Sequence, residues 1–205
     1  MLAVNFFSVL KDIVLTLTAV TGSYVALKGL NTWKRQISGQ ANHSLSKNLL
    51  VSLFKYRDAI ESVRNPFMTI TSDSLPEESK RLTMNANEIH FYSICKIYNL
   101  RWQNVSEIQS QVYANLTEAE AIWGNELSAM WKTVRGKVIE LQISLDEYLD
   151  SKNPKSAYSE KEISLEEHKR TRAIIYGGGS NDAFKTEFES ELEQMVFYIR
   201  TKLQD

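Results

Sequence analysis

The chain has 205 residues, room for one core of ordinary size and too few for a second full domain of similar extent. Its 24 basic and 25 acidic side chains leave a formal net charge of -1, so no overall field draws it to nucleic acid, and any electrostatic role is local. Eight Gly and three Pro favour helix over sheet, while a single cysteine, Cys95, excludes an internal disulfide scaffold and any cysteine-based metal spacing.

The first predicted element is apolar. From Ile13 to Leu30 the only charge is Lys28, and the run IVLTLTAVTGSYVAL carries none. As a helix those fifteen uncharged residues rise about 22 Å, short of a hydrocarbon core of about 30 Å. If Lys28 snorkels and Trp33 sits among the headgroups, the usable span reaches Leu30 and about 27 Å, which a thin bilayer accepts. Lys28, Trp33, Lys34 and Arg35 are therefore the expected membrane interface. A buried helix of a soluble protein is the competing reading, because Thr16, Thr18, Thr21 and Ser23 dilute the apolar run.

A secretory signal fits poorly, since its positive charges precede the apolar run and here they follow it. Lys11 before the run is cancelled by Asp12, and from Ile13 onward Lys28, Lys34, Arg35, Lys47, Lys55 and Arg57 come before the next acid, Asp58. By the positive-inside rule this block stays in the cytoplasm and the N-terminus crosses. Thr18, Gly22 and Ala26 recur every four residues, a stripe of small side chains on which two spans could pack closely.

After a polar link from Gln36 to His43, Ser44 is the expected N-cap of a helix whose seam is Leu49, Leu53, Tyr56, Ile60 and Val63. Arg64-Asn65-Pro66 should stop it. On this helix Arg57, Asp58, Glu61 and Arg64 form a charge cluster at helical spacing, either a solvated set of ion pairs or a partner contact. A loop is expected from Phe67 to Ser74, with Pro76 in the first turn of the next helix and Glu77 and Glu78 complementing its dipole.

The longest pattern follows. Phe91, Cys95, Tyr98, Trp102, Val105, Gln109, Val112, Leu116, Ala119 and Trp123 step by four and three, a period no strand can keep. The phase slips by one residue at Gly124-Asn125, after which Leu127, Trp131, Val134, Val138, Leu141, Leu145 and Tyr148 resume it. A glycine past a helix end and an Asn cap predict the reversal at Gly124; a capping box of Thr117 with Glu120 is the rival position. Asn153-Pro154 should end this helix. Another is expected from Ser159, boxed with Glu162, towards Arg172, with Ala173 to Tyr176 as a frayed end or a short extended piece. Beyond Gly177-Gly178-Gly179, one of Ser180, Asn181 or Asp182 caps a last helix with Phe184, Phe188, Leu192, Met195, Ile199 and Leu203 on one face.

Catalytic constellations are not visible. The glycine run lacks the Lys-Ser/Thr pair of a phosphate loop and the preceding strand of a dinucleotide fingerprint. His43, His90 and His168 lie in separate segments, and Cys95 lacks a His or basic partner of the kind that lowers a thiol pKa. Asn42, Asn104 and Asn115 head Asn-x-Ser/Thr triplets that matter only in a glycosylating lumen. Lys169-Arg170-Thr171-Arg172 adjoins Glu166 and Glu167 and has no recognition motif, so nucleic-acid binding is not expected.

GLNTWKRQISG, KYRDAIESVRNPF, AEAIWGNEL and RAIIYGGGSNDAF together resemble a group of uncharacterised bacterial single-span membrane proteins with a cytoplasmic helical domain. The resemblance implies a bacterial inner-membrane location and assigns no catalytic residue. The expected architecture is thus all-α: an anchor with its basic flank over 1–35, then a cytoplasmic antiparallel bundle of long, coiled-coil-like helices over 36–205. The expected function is a membrane-anchored interaction or scaffold module without catalysis or cofactor, its partners lipid and a protein that could be a second copy of itself. The alternative is an effector, in phage defence or toxicity, that acts on the membrane by assembling through its span.

Overall fold

A computed structural model describes residues 2–156, 165–177 and 181–203 of the chain. It is 86% helix, with no strand among the described residues, so the all-α expectation holds. The elements in order are α1 (Leu2–Val63), a single 3-10 turn (Ser72–Ser74), α2 (Glu78–Arg81), α3 (Ala86–Trp123), α4 (Glu126–Lys152), α5 (Leu165–Ile175) and α6 (Ala183–Lys202).

Three boundaries differ from expectation. Ser44 caps no helix start, because α1 runs through it. Gln36 to His43 contains no proline, and Gly39 costs a helix only about 1 kcal/mol relative to alanine, too little to break one. The helix at Pro76 ends after one turn at Arg81, and α3 starts separately at Asn85. There the Asn85 side chain accepts from the Glu88 backbone N–H at 3.0 Å, and the Glu88 carboxylate accepts from the Asn85 N–H at 2.8 Å. This reciprocal box satisfies two amide donors that helix geometry leaves orphaned. Ala173 to Tyr176 is neither frayed nor extended, since α5 continues to Ile175. The box expected of Ser159 and Glu162 lies outside the described residues.

Other boundaries fall where expected. Val63 is the last residue of α1, ahead of Arg64-Asn65-Pro66, and α4 ends at Lys152, just before Asn153-Pro154. The reversal is at Gly124, which closes α3 with φ +92°, and Asn125 begins α4; Thr117 sits inside α3, its hydroxyl donating back to the Tyr113 carbonyl at 2.9 Å.

Residues up to Ser44 form one compact unit and those from Leu45 to Gln204 another. The buried apolar residues described all belong to the second. Leu45, Leu49, Leu53, Tyr56, Ile60 and Val63 of α1 are buried, with Val105, Val112 and Leu116 of α3, Trp131, Val134 and Leu141 of α4, and Phe188, Met195 and Ile199 of α6. The four-and-three seams read from the sequence are therefore the faces that lose water, each large aliphatic side chain contributing about 1.5–3 kcal/mol. Within this unit α4 packs against α3, α5 and α6. Side chains of α1 reach three helices: Ser52 and Tyr56 bond Asn115 and Gln109 of α3, the Tyr56 ring meets Trp131 of α4 at 5.0 Å, and Glu61 pairs with Lys185 of α6.

In the first unit the apolar side chains described, from Leu10 to Ile37, are exposed. Among the described residues one helix is long and apolar enough to cross a membrane; its best eighteen-residue window has a mean hydropathy of 1.5 and is 0% buried.

Candidate functional site

Two places on the chain carry features beyond an ordinary helical core: the uncovered apolar stretch and the end of α1.

Along the stretch, Ile13, Val14, Leu17, Val20, Val25, Leu27 and Leu30 are all exposed. The threonines that weaken its hydropathy are bonded within the helix. Thr18 Oγ1 donates to the Val14 carbonyl at 2.6 Å and Thr21 Oγ1 to that of Leu17 at 2.8 Å, so neither hydroxyl needs water. Thr18, Gly22 and Ala26 lie exposed, and a methyl group added at Gly22 would meet nothing within 4 Å. Lys28, Trp33, Lys34 and Arg35 are likewise exposed.

At the end of α1 the four charges of the expected cluster separate. Arg57 bonds Asp58 through both Nε, at 3.0 Å, and Nη2, at 2.8 Å, and lies 5.5 Å over the Phe54 ring. Glu61 pairs with Lys185 at 2.7 Å. These pairs are exposed and contribute at most about 1 kcal/mol each. Arg64 differs: only 4% of it is exposed, so a partner cannot reach it in this conformation.

Arg64 spends its donors on the connection between α5 and α6. Nε donates to the Ile174 carbonyl at 2.8 Å, and Nη2 to those of Ala173 at 3.1 Å and Tyr176 at 3.4 Å. Nη1 and Nη2 hold the two Asp182 carboxylate oxygens at 2.9 and 2.8 Å, a bidentate pair. The guanidinium also lies 4.5 Å over the Phe184 ring, and the Arg64 carbonyl accepts from the Gly177 N–H at 3.0 Å. Asp182 does double duty, since its Oδ1 also caps α6 by accepting from the Lys185 N–H at 2.9 Å. The guanidinium thus meets the orphan carbonyls at the end of α5 and the charge at the start of α6, both of which favour a cation. With its donors so engaged, Arg64 is unsuited to binding an anion. The partners lie 109 to 118 residues away in sequence, which is why spacing gave no sign of them.

A shallow groove beside this region was also missed. Phe197 of α6 is 73% exposed and Phe54 of α1 38%; with Met130 and Val196 they line an apolar surface rimmed by Arg57, Glu193 and Arg200. Phe197 stands off the α6 seam, a large aromatic on the polar face, and that is the one sequence cue it offers.

No known family model, curated protein or solved structure matches this chain.

Among the described residues no group of three or more His, Cys, Asp or Glu could hold a metal. His43 and His90 are exposed on separate helices, and His168 is half-buried on a third. Burial, as the first cause, pushes the Cys95 thiol above its ordinary pKa, which lowers its thiolate fraction. Tyr98 and Tyr148 are pushed up to about 12, chiefly by burial, and remain neutral; Tyr176 donates to the Tyr148 hydroxyl at 2.9 Å.

Proposed function

We propose that the chain is a membrane-anchored helical interaction module without catalytic activity, held by the Ile13–Leu30 stretch at a bacterial inner membrane with the C-terminal unit in the cytoplasm. The observation that carries the reading is the uncovered apolar window, whose threonine hydroxyls bond their own helix. Leaving that much hydrocarbon in water is costly, at about 25 cal/mol per Å², and lipid tails are the natural cover. Lys28, Trp33, Lys34 and Arg35 form the headgroup flank, and the acid-free basic block sets the orientation.

The C-terminal unit is, on this reading, an antiparallel bundle. Ser52 opposite Asn115 and Tyr56 opposite Gln109 set α1 and α3 in opposite senses; Tyr113 opposite Arg135 and Glu120 opposite Ser128 do so for α3 and α4. Glu61 opposite Lys185 and Arg64 opposite Asp182 do so for α1 and α6. Its candidate partner surface is the Phe54, Met130 and Phe197 groove, with the exposed Arg57 and Asp58 beside it.

Ultracentrifugation of lysed cells tests the anchor: the protein should sediment with membranes and resist alkaline carbonate. Recovery in the supernatant sinks the reading. Protease added outside spheroplasts should leave the C-terminal unit intact, and its digestion reverses the orientation.

A second reading, a membrane effector assembling through its span, is favoured by the open stripe of Thr18, Gly22 and Ala26. It predicts that induced expression depolarises cells and that Gly22→Leu abolishes the effect. Depolarisation unaffected by that substitution removes the stripe from the mechanism.

A further inference from the structure

The α5 helix is held to the rest of the C-terminal unit in an unequal way. Of the ten α5 residues whose side chains are described, Glu166 to Ile175, only Ile175 is buried; Ile174, His168 and Thr171 are half-buried, and Glu166, Glu167, Lys169, Arg170, Arg172 and Ala173 face solvent. Little apolar area therefore fixes it, and helices with few buried contacts open more readily than the core they rest on. Its C-terminal end, by contrast, is tied by one side chain. Arg64 takes the carbonyls of Ala173, Ile174 and Tyr176 and, through the same guanidinium, the Asp182 carboxylate that begins α6.

Beneath that tie lie Tyr98 of α3 and Tyr148 of α4. The Tyr176 ring meets Tyr148 edge-on at 6.0 Å, with the hydroxyls hydrogen-bonded, and Tyr98 is 1% exposed, its hydroxyl buried and without a hydrogen-bond partner among the described residues. Displacing the end of α5 takes Tyr176 and Ile175 with it and uncovers both tyrosines.

We infer that α5 is a detachable strap, latched by Arg64 and Asp182, whose release uncovers the Tyr98 and Tyr148 surface between α3 and α4. The latch works because the same bidentate pair that caps α6 also positions the guanidinium for the α5 carbonyls, so loss of the pair frees both ends of the connection at once. This follows from the C-terminal unit alone and stands whether or not the chain is membrane-anchored.

Hydrogen exchange on the full-length protein in detergent micelles tests it, with Asp182→Asn, which keeps a capping side chain but not the charge, and Arg64→Lys, which keeps the charge but not the fork. In the unmodified protein the amides of residues 169–175 should exchange faster than those of Val134–Leu145. In both variants the α5 amides should exchange at least about tenfold faster again, with α3 and α4 within about twofold of the parent. Three results overturn the proposal: α5 as protected as α4 in the parent, α5 protection unchanged by Asp182→Asn, or all helices losing protection together by the same factor. The parent measurement decides the first point even where Arg64→Lys fails to fold.

Discussion

Arg57 stands on α1 and Arg64 seven residues later, just past its end, yet one faces water beside Asp58 and the other lies under five hydrogen bonds. Their residue type and local spacing are the same, so the periodicity that placed Leu49, Leu53 and Tyr56 inside could not separate them; only contacts across more than 100 residues do. Apolar seams were legible because burial follows a period that neighbouring residues set together. Phe197 shows the converse, a hydrophobic residue that the core does not use. Replacing it with serine should change stability by no more than about 0.5 kcal/mol, read from the denaturant midpoint, while abolishing co-purification of any partner that docks on the groove. Leu49→Ala, at a position 0% exposed, should by contrast cost about 2–5 kcal/mol. Equal effects from the two substitutions would mean that the groove is part of the core. The Cys95 thiol, raised by burial, should react with a thiol reagent at neutral pH on the order of tenfold more slowly than in the unfolded chain, and unfolding in denaturant should restore the rate.

Element ends were legible where the signal is local and stereochemical. Gly124 is one, because its φ of +92° with ψ of -172° lies in a region open almost only to glycine. An added Cβ there would also approach the Glu126 carboxylate at 3.0 Å. Gly124→Ala should therefore destabilise the unit by about 1–3 kcal/mol, measured by thermal or denaturant unfolding. A neutral result would mean that the turn relaxes to another conformation. The Asn85 and Glu88 box was overlooked because Pro76 with Glu77 and Glu78 gave an equally good start signal nine residues earlier. It also makes a pH prediction. Hydrogen bonding to Lys155, and then to the Asn85 backbone, holds the Glu88 carboxyl below its ordinary pKa. A carboxylate depressed in the folded state adds stability that is present above its unfolded value of about 4.3 and is lost as pH falls through the lowered one. Glu88→Gln keeps the acceptor and discards the charge, so its stability should fall less steeply between about pH 5 and 3 than that of the parent.

On the scale of the whole molecule, composition and seam length made an all-helical chain legible, and the charge-free run marked the one helix fit to cross a bilayer. How the helices share a core was not, since each seam reads the same whichever neighbour covers it. The Ser44 cap failed as a boundary for a related reason: a polar stretch interrupts a hydrophobic pattern without interrupting the backbone ladder, and no proline stands there to do so. Yet the buried apolar residues described begin just beyond it, at Leu45, and run to Ile199. If those residues are sufficient, a chain starting at Gln40 should remain in the supernatant, keep its far-ultraviolet helix signal and unfold in one cooperative transition within a few degrees of the full-length protein. The reasoning is that the side chains described from Leu10 to Gly39 are all exposed, so their removal takes away apolar surface without opening a cavity among them. Aggregation of the shortened chain, or a midpoint lower by more than about 10 °C, would mean that residues before Gln40 cover part of the apolar surface assigned here to the second unit alone.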